Sequence, residues 1–155
     1  MSKQKIGWIG AGKMGLPICK RLKAAGHEVT VLARKPAQAE VLASLGFICE
    51  SSVADTIREA EVVFTAVTDD KALSDIALGP AFASALRSGS VFIDMSTVSP
   101  AISAEIASRL PKTNAYLRSP VSGSTGMAEA GTLTALVSGP KAAFEGMTEV
   151  FATFT

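Results

Sequence analysis

Three glycines lie between an apolar stretch and an amphipathic one near the start of the chain, in KIGWIGAGKMGLPICKRL at residues 5–22. Glycine weakens strands and helices alike, so these glycines are expected to serve a turn between two such elements. Gly10 would allow the sharp turn, Gly12 would let a diphosphate reach the backbone, and Gly15 would let the helix pack closely on the sheet. The unpaired N–H groups at the start of that helix favour an anion. The spacing therefore predicts a dinucleotide-binding turn.

Short runs rich in Val, Ile and Phe alternate with helical patterns along the rest of the chain. Near-continuous apolar strands are typical of a parallel sheet that is covered on both faces. We therefore expect an α/β fold, a Rossmann-type doubly wound, mainly parallel sheet with helices on both faces. Strands are predicted near residues 4–9, 28–33, 46–49, 61–67, 90–94 and 114–117, with a further strand at 132–139. Helices are predicted near residues 13–25, 36–44, 52–58, 70–76, 80–87, 100–109 and 140–153.

The composition fits a single domain, because 155 residues with 48% hydrophobic content can bury a sizeable core. We expect residues 1–155 to form one dinucleotide-binding domain. The 15 basic and 14 acidic residues are nearly balanced, and no basic block favours nucleic acid. Apolar runs are shorter than the ~20 residues of a membrane helix, and the N-terminus lacks the apolar core of a signal peptide. We therefore expect a cytoplasmic protein that binds neither nucleic acid nor membrane.

Residues that commonly hold metals or catalyse hydrolysis are scarce. Cys19 and Cys49 belong to no Cys/His cluster, so we expect no metal site and no disulfide, with both cysteines buried. His27 is the only histidine and is expected to be a polar loop residue before a strand.

The end of the second predicted strand bears on which dinucleotide binds. An acidic residue about 20 residues after the glycines would hold the 2′-hydroxyl of NAD. Here the sequence is TVLARKPAQ, with Ala33 in that position and Arg34 and Lys35 after it. Two cations can hold a 2′-phosphate, so we expect NADP(H) in preference to NAD(H). In the alternative interpretation, both are solvated residues that precede a helix.

Ligands of such sheets lie beyond the carboxyl ends of the strands. After the fourth strand, AVTDD at 66–70 would line the adenosine ribose with its backbone, while Asp69 is predicted to cap a helix. After the fifth, Ser96 and Thr97 could reach the nicotinamide half, and Ser99 precedes Pro100 as a helix cap. After the sixth, the Gly- and Ser-rich segment 118–133 could hold a carboxylate with backbone N–H groups and hydroxyls.

Three segments together resemble the β-hydroxyacid dehydrogenases, the family of 3-hydroxyisobutyrate dehydrogenase and 6-phosphogluconate dehydrogenase: IGWIGAGKMGLPICKRLKAAGHEVTVLARK, FIDMSTVSP and SPVSGSTGMAEAGTLTALVSG. The resemblance covers the N-terminal NAD(P)-binding domain of that family. It implies hydride transfer between NADP(H) and a small β-hydroxyacid or semialdehyde. We expect these 155 residues to lack the family's all-helical C-terminal domain, which carries its catalytic lysine. The resemblance therefore implies that these 155 residues alone are inactive and that homo-oligomers need the missing domain.

The resemblance also implies roles for individual residues. Those expected to bind the cofactor are Gly10, Ala11, Gly12, Lys13, Met14 and Gly15 at the diphosphate, Arg34 at the 2′-phosphate, Val67 and Thr68 at the ribose, and Thr97 at the nicotinamide. Ser122 and Gly123 are expected to bind and orient a small carboxylate-bearing substrate. Arg118 departs from the family, which usually has an acid there. It could contact a second anionic group of the substrate, although a surface ion pair is the preferred interpretation.

Two other functions fit the same sequence. An imine reductase resembles this family in its N-terminal half and differs in the proton donor of its second domain. A non-catalytic nucleotide-binding module would keep the dinucleotide fold without turnover. The last helical pattern places Phe144, Met147, Phe151 and Phe154 on one side, and without a second domain this apolar face is expected to be exposed.

Overall fold

A computed structural model describes residues 2–155. Its main sheet has six parallel strands in the order β3-β2-β1-β4-β5-β6. The strands are β1 Lys5–Ile9, β2 Glu28–Leu32, β3 Ile48–Glu50, β4 Val62–Thr65, β5 Val91–Asp94 and β6 Ala115–Arg118, and a separate pair is formed by β7 Val121–Ser122 and β8 Thr134–Ala135. The helices are α1 Gly15–Ala24, α2 Pro36–Ser44, α3 Val53–Ile57, α4 Asp70–Ala77, α5 Phe82–Ala85, α6 Pro100–Arg109, α7 Thr125–Ala130 and α8 Lys141–Phe151. The expected doubly wound α/β fold is thus confirmed.

The first six predicted strands all appear, but the predicted strand at 132–139 is wrong as a single element. Only Thr134–Ala135 is a strand, and it pairs antiparallel with Val121–Ser122 outside the main sheet. Ser138 forms one isolated antiparallel bridge with Arg118. The predicted helix at 80–87 is also shorter, at Phe82–Ala85.

The core has two layers, one on each face of the sheet, because successive strand residues point to opposite faces. Trp8 lies in the first layer and stacks on Phe64 with ring centroids 4.9 Å apart. Ile9, the next residue of β1, lies in the second layer. There Phe82 and Phe92 meet edge to face at 5.0 Å. Both faces are therefore covered, which fits the apolar character of the strands.

The last helix does not expose its apolar face as expected. Met147, Phe151 and Phe154 are buried against the first core layer, and only Phe144, at 39% exposure, remains accessible. The side chain of Arg21 fixes the segment that follows α8, because its Nε donates to the carbonyl of Thr153 at 2.6 Å. The first core layer, in which Phe154 meets Phe64 edge to face with ring centroids 6.2 Å apart, thus covers this apolar face.

Two other expectations about burial need correction. His27 is not a solvated loop residue: it is 4% exposed, and its Nδ1 accepts a hydrogen bond from the Gln4 N–H at 3.1 Å. Cys19 is buried as expected, whereas Cys49 is only partly buried. Within residues 2–155, no helix combines the length and apolar character needed to cross a membrane.

Candidate cofactor site

A cleft of about 350 Å³ opens at the carboxyl ends of β1, β4 and β5. It is lined by Gly10, Gly12, Lys13, Met14, Gly15, Ile18, Ala66, Val67, Thr68, Met95, Ser96, Thr97 and Val121. The chain runs from β1 to β2 on one side and β4 adjoins β1 on the other, so this is the point where strand order reverses. A wider groove, about 640 Å³, lies beside α1 at Lys20 and Arg21 and contains none of the predicted site residues.

The glycine turn, residues 10–14, has a backbone that side chains would disturb. Gly10 has a φ of 104°, and a Cβ there would collide with the carbonyl oxygen of Ala66. A Cβ on Gly15 would collide with the carbonyl of Gly10. That carbonyl also accepts a hydrogen bond from the indole N–H of the buried Trp8 at 3.1 Å. The turn is therefore held between β1, the start of α1 and the loop after β4.

Gly12 differs from these two glycines, because a Cβ there would meet no atom within 4 Å. It is exposed, and its backbone borders the cleft. The N-cap of α1 is Met14, no side chain caps the helix, and its first turn contains no acid. The first N–H groups of α1 thus lack a side-chain acceptor at the cleft, and Lys13 adds a cation beside them. Bare backbone, uncapped donors and a cation fit the diphosphate of a dinucleotide.

The β5–α6 loop, residues 95–99, forms the opposite wall of the cleft. It starts after Asp94, whose carboxylate is fully buried and whose Oδ1 accepts from Thr65 Oγ1 at 2.8 Å and from the Ser96 N–H at 3.0 Å. Burial raises the pKa of Asp94, and hydrogen bonds from Ser96 and Thr65 and the charge of Arg118 oppose that rise. Ser96 Oγ in turn accepts from the Val67 N–H at 2.9 Å. These bonds join the loops after β4 and β5.

Asp94 is a residue that sequence reasoning missed. The available signal was a lone acid at the end of an otherwise apolar strand, VFID. Ser96 was expected to reach the nicotinamide half, and it does line the cleft, although its hydroxyl is engaged with Val67. Thr97, the next residue, is exposed in the cleft. The predicted helix caps Asp69 and Ser99 are confirmed, since their side chains accept from the N–H groups of Ala72 and Ile102.

Four of the predicted binding residues lie outside the lining of the cleft. Arg34 is exposed two residues after β2, at the same edge of the sheet, and forms no salt bridge with any residue in 2–155. Ser122 is exposed in β7, next to Val121, which lines the cleft. Gly123 has a φ of 145°, and a Cβ there would lie 2.7 Å from Leu133 Cδ2. Ala11 is part of the glycine turn and is partly buried.

The described residues offer few groups that could donate a proton in this cleft. His27 directly precedes β2, so it lies at the amino edge of the sheet, opposite the cleft. Lys141 is exposed at the start of α8 and lies 3.6 Å from Glu145. Among residues 2–155 no group of His, Cys, Asp and Glu is arranged to hold a metal ion. The arrangement can bind and orient a nucleotide.

Arg118 does not form the surface ion pair that the sequence predicts. Its side chain is partly buried, it forms no salt bridge with a carboxylate of residues 2–155, and its Nη2 donates to the Val98 carbonyl at 2.7 Å. The reason is its place on β6, where its partner in register is Asp94, inside the sheet.

The sequence of this chain is similar to those of several known proteins. The chain is 33% identical over 153 residues to a probable 3-hydroxyisobutyrate dehydrogenase-like protein, mitochondrial, of Arabidopsis thaliana, covering 97% of this chain and 46% of that protein. It is 32% identical over 150 residues to the cytokine-like nuclear factor N-PAC of Xenopus tropicalis, covering 96% of this chain and 28% of N-PAC. The chain thus spans less than half the length of both relatives.

Solved structures agree in fold. The 3-hydroxyisobutyrate dehydrogenase of Mycobacterium tuberculosis with L-serine superposes with a TM-score of 0.88 at 27% identity, covering 99% of this chain and 53% of that one. Psf3 in complex with NADP+ and 2-OPP gives 0.87 at 29% identity, covering 96% and 54%. The family model for the NAD binding domain of 6-phosphogluconate dehydrogenase matches residues 5–155. The chain therefore belongs to the family of the NAD-binding domain of 6-phosphogluconate dehydrogenase.

Proposed function

We propose that this chain is the NADP(H)-binding domain of an oxidoreductase that transfers hydride between NADP(H) and a small β-hydroxyacid or semialdehyde. The observation that carries the proposal is the open backbone at Gly12 beside the uncapped start of α1. A turn that served only to change chain direction would have no need for bare backbone facing a cleft. Family membership supports the same interpretation, because the matching model is an NAD-binding domain.

Different residues along the cleft bind different parts of the cofactor. The N–H groups of the glycine turn and of α1 bind the diphosphate, and Val67 and Thr68 lie along the ribose. Thr97 faces the nicotinamide half from the opposite wall. Ser122 and Gly123 orient the substrate carboxylate beside Val121. The bound nicotinamide supplies the hydride chemistry.

We further propose that the proton of the substrate hydroxyl is handled by a group outside residues 1–155. A general acid must lie within hydrogen-bond reach of the reacting oxygen. Neither His27 nor Lys141 borders the cleft, and Lys13, which does, belongs to the glycine turn that binds the diphosphate. In this proposal the 155 residues form one dinucleotide-binding domain, and a lysine of the family's helical C-terminal domain donates the proton. The greater length of the relatives supports this division.

Arg34 is the residue that we propose to select NADP(H). It is an exposed guanidinium at the carboxyl edge of the sheet, and no salt bridge within residues 2–155 occupies it. A charge-assisted contact with phosphate is worth about 1.5–3 kcal/mol, so Arg34→Gln should weaken NADPH binding roughly tenfold or more and leave NADH binding unchanged. Titration by nicotinamide fluorescence measures both affinities, with Arg109→Gln, which changes an exposed arginine of α6 outside the cleft, as the matched control. Equal affinity of the unaltered chain for NADPH and NADH would contradict the proposal.

A second candidate is a nucleotide-binding module without catalysis. The observation that favours it is the similarity to N-PAC, whose name describes a nuclear factor rather than an oxidoreductase. The protein at its natural length distinguishes the candidates when assayed with NADP+ and a series of small β-hydroxyacids. NADPH production supports the oxidoreductase, whereas NADPH binding without turnover of any hydroxyacid supports the module. Consumption of NADPH with a cyclic imine would instead indicate an imine reductase.

A further inference from the structure

The β5–α6 loop carries Thr97 into the cleft and is fixed on both sides of that residue. On one side, Ser96 is bonded through its N–H to Asp94 and through its hydroxyl to the Val67 N–H. On the other, the Val98 carbonyl accepts from Arg118 Nη2 at 2.7 Å. The conformation of the loop at Thr97 is therefore determined by neighbouring strands.

The end of the loop has a further anchor. The N–H of Ser99 donates to Asp70 Oδ1 at 2.8 Å, and the Ser99 hydroxyl donates to Asp70 Oδ2. These hydrogen bonds hold the pKa of Asp70 below its usual range, and the positive charge of Arg118 contributes to the same effect. Arg118 and Asp70 thus bind two successive residues of the loop, Val98 and Ser99. The second half of the loop is held by one cation from β6 and one carboxylate from α4.

The position of Arg118 separates it from the cofactor cleft. It does not line the cofactor cleft. It lines a different groove of about 600 Å³, between α6 and β6, together with Tyr116. Its Nε is buried, and its Nη2 is engaged by Val98. The guanidinium thus lies behind the β5–α6 loop, away from the cleft.

We propose that Arg118 is a positioning residue, which sets Thr97 against the nicotinamide half of the bound cofactor by holding the carbonyl of Val98. This inference rests on the proposed function of the cleft. The guanidinium acts at Val98, the residue that follows Thr97, so its effect on binding should fall mainly on the nicotinamide half. The adenosine half lies on the glycine turn and on the residues after β4, which Arg118 does not contact through any hydrogen bond in residues 2–155.

The test compares two ligands by calorimetry on the full chain: NADPH, and adenosine 2′,5′-bisphosphate, which has the adenosine half and the 2′-phosphate but no nicotinamide. Arg118→Met should lower NADPH affinity roughly tenfold and leave bisphosphate affinity unchanged. Arg118→Lys keeps a donor and a charge and should restore most of the NADPH affinity. Arg109→Met, which removes an exposed arginine of α6 paired only with Glu105, is the charge-deletion control. If Arg118→Met does not fold, Arg118→Gln takes its place.

The results of these titrations distinguish a positioning role of Arg118 from a role in stabilising the fold. An equal loss of both ligands with a lower Tm would mean that Arg118 only stabilises the fold, and would overturn the inference. Unchanged NADPH affinity in Arg118→Met would also overturn it, while the proposed function would stand. If the unaltered chain binds neither ligand, the proposed function itself fails and the inference falls with it.

Discussion

The substitution Gly12→Ala should weaken cofactor binding without destabilising the fold. The added methyl would meet no atom within 4 Å, and the φ of Gly12 lies outside the left-handed region. The free energy of unfolding should therefore stay the same or rise by about 0.4–1 kcal/mol, because alanine reduces the entropy of the unfolded chain. The same methyl lies where a diphosphate would approach the turn. Loss of two charge-assisted contacts would cost about 3 kcal/mol or more, a loss of affinity of roughly a hundredfold.

Gly10→Ala is the matched contrast, because the same methyl is added two residues earlier. There the φ of 104° is unfavourable for alanine, at about 1–3 kcal/mol, and the collision with the Ala66 carbonyl adds about 1–3 kcal/mol. The sum, about 2–6 kcal/mol, is a large part of the stability of an ordinary domain. Urea unfolding and nicotinamide fluorescence titration, carried out on both variants, give the two quantities.

One result would refute this reasoning. If Gly12→Ala is as stable as the original chain and binds NADPH with undiminished affinity, no diphosphate lies against the backbone at position 12. A loss of binding that is accompanied by unfolding would equally contradict the open space around Gly12.

Two further predictions concern stability. Burial lowers the pKa of His27 in the folded chain, so the stability that its neutral ring contributes is complete above about pH 6.5 and is lost as the pH falls below that value. Between about pH 7.5 and about pH 5.5 the Tm of the unaltered chain should therefore drop more than the Tm of His27→Asn. Equal slopes of Tm against pH in the two proteins would contradict this. Arg21 donates to the carbonyls of Thr153 at 2.6 Å and Glu129 at 3.0 Å, so Arg21→Met should lower the free energy of unfolding by about 1–3 kcal/mol in urea, whereas Lys20→Met, on the exposed neighbour, should not.

The sheet and the glycine turn could be predicted because their signals are local. Apolar strands, prolines at the first helical turn and caps such as Asp69 each act within a few residues of where they occur. The order of the elements then limits the topology, since parallel strands need right-handed crossovers. The cleft at the β1–β4 boundary follows from that topology.

The wrong predictions from the sequence concern contacts between residues that are distant in sequence. His27 is buried because the N–H of Gln4, 23 residues earlier, meets its ring. Arg118 meets Val98 rather than a surface acid because β5 and β6 are neighbours in the sheet. The face of α8 is covered by a core layer that includes Trp8 and Phe64 from β1 and β4. Residue type and spacing carry no information about such partners.

The pairing of β1 with β4 joins the two halves of the sheet, strands β1–β3 and strands β4–β6. β1 brings the glycine turn to one wall of the cleft, and β4 with β5 brings the other, while the register of Ile9 with Thr65 joins them. A nucleotide bound across both walls must dissociate before β1 and β4 can separate. At a hundred times its Kd, such a ligand adds about 2.7 kcal/mol against that separation. Proteolysis or hydrogen exchange would register this protection first at the ends of β1 and β4.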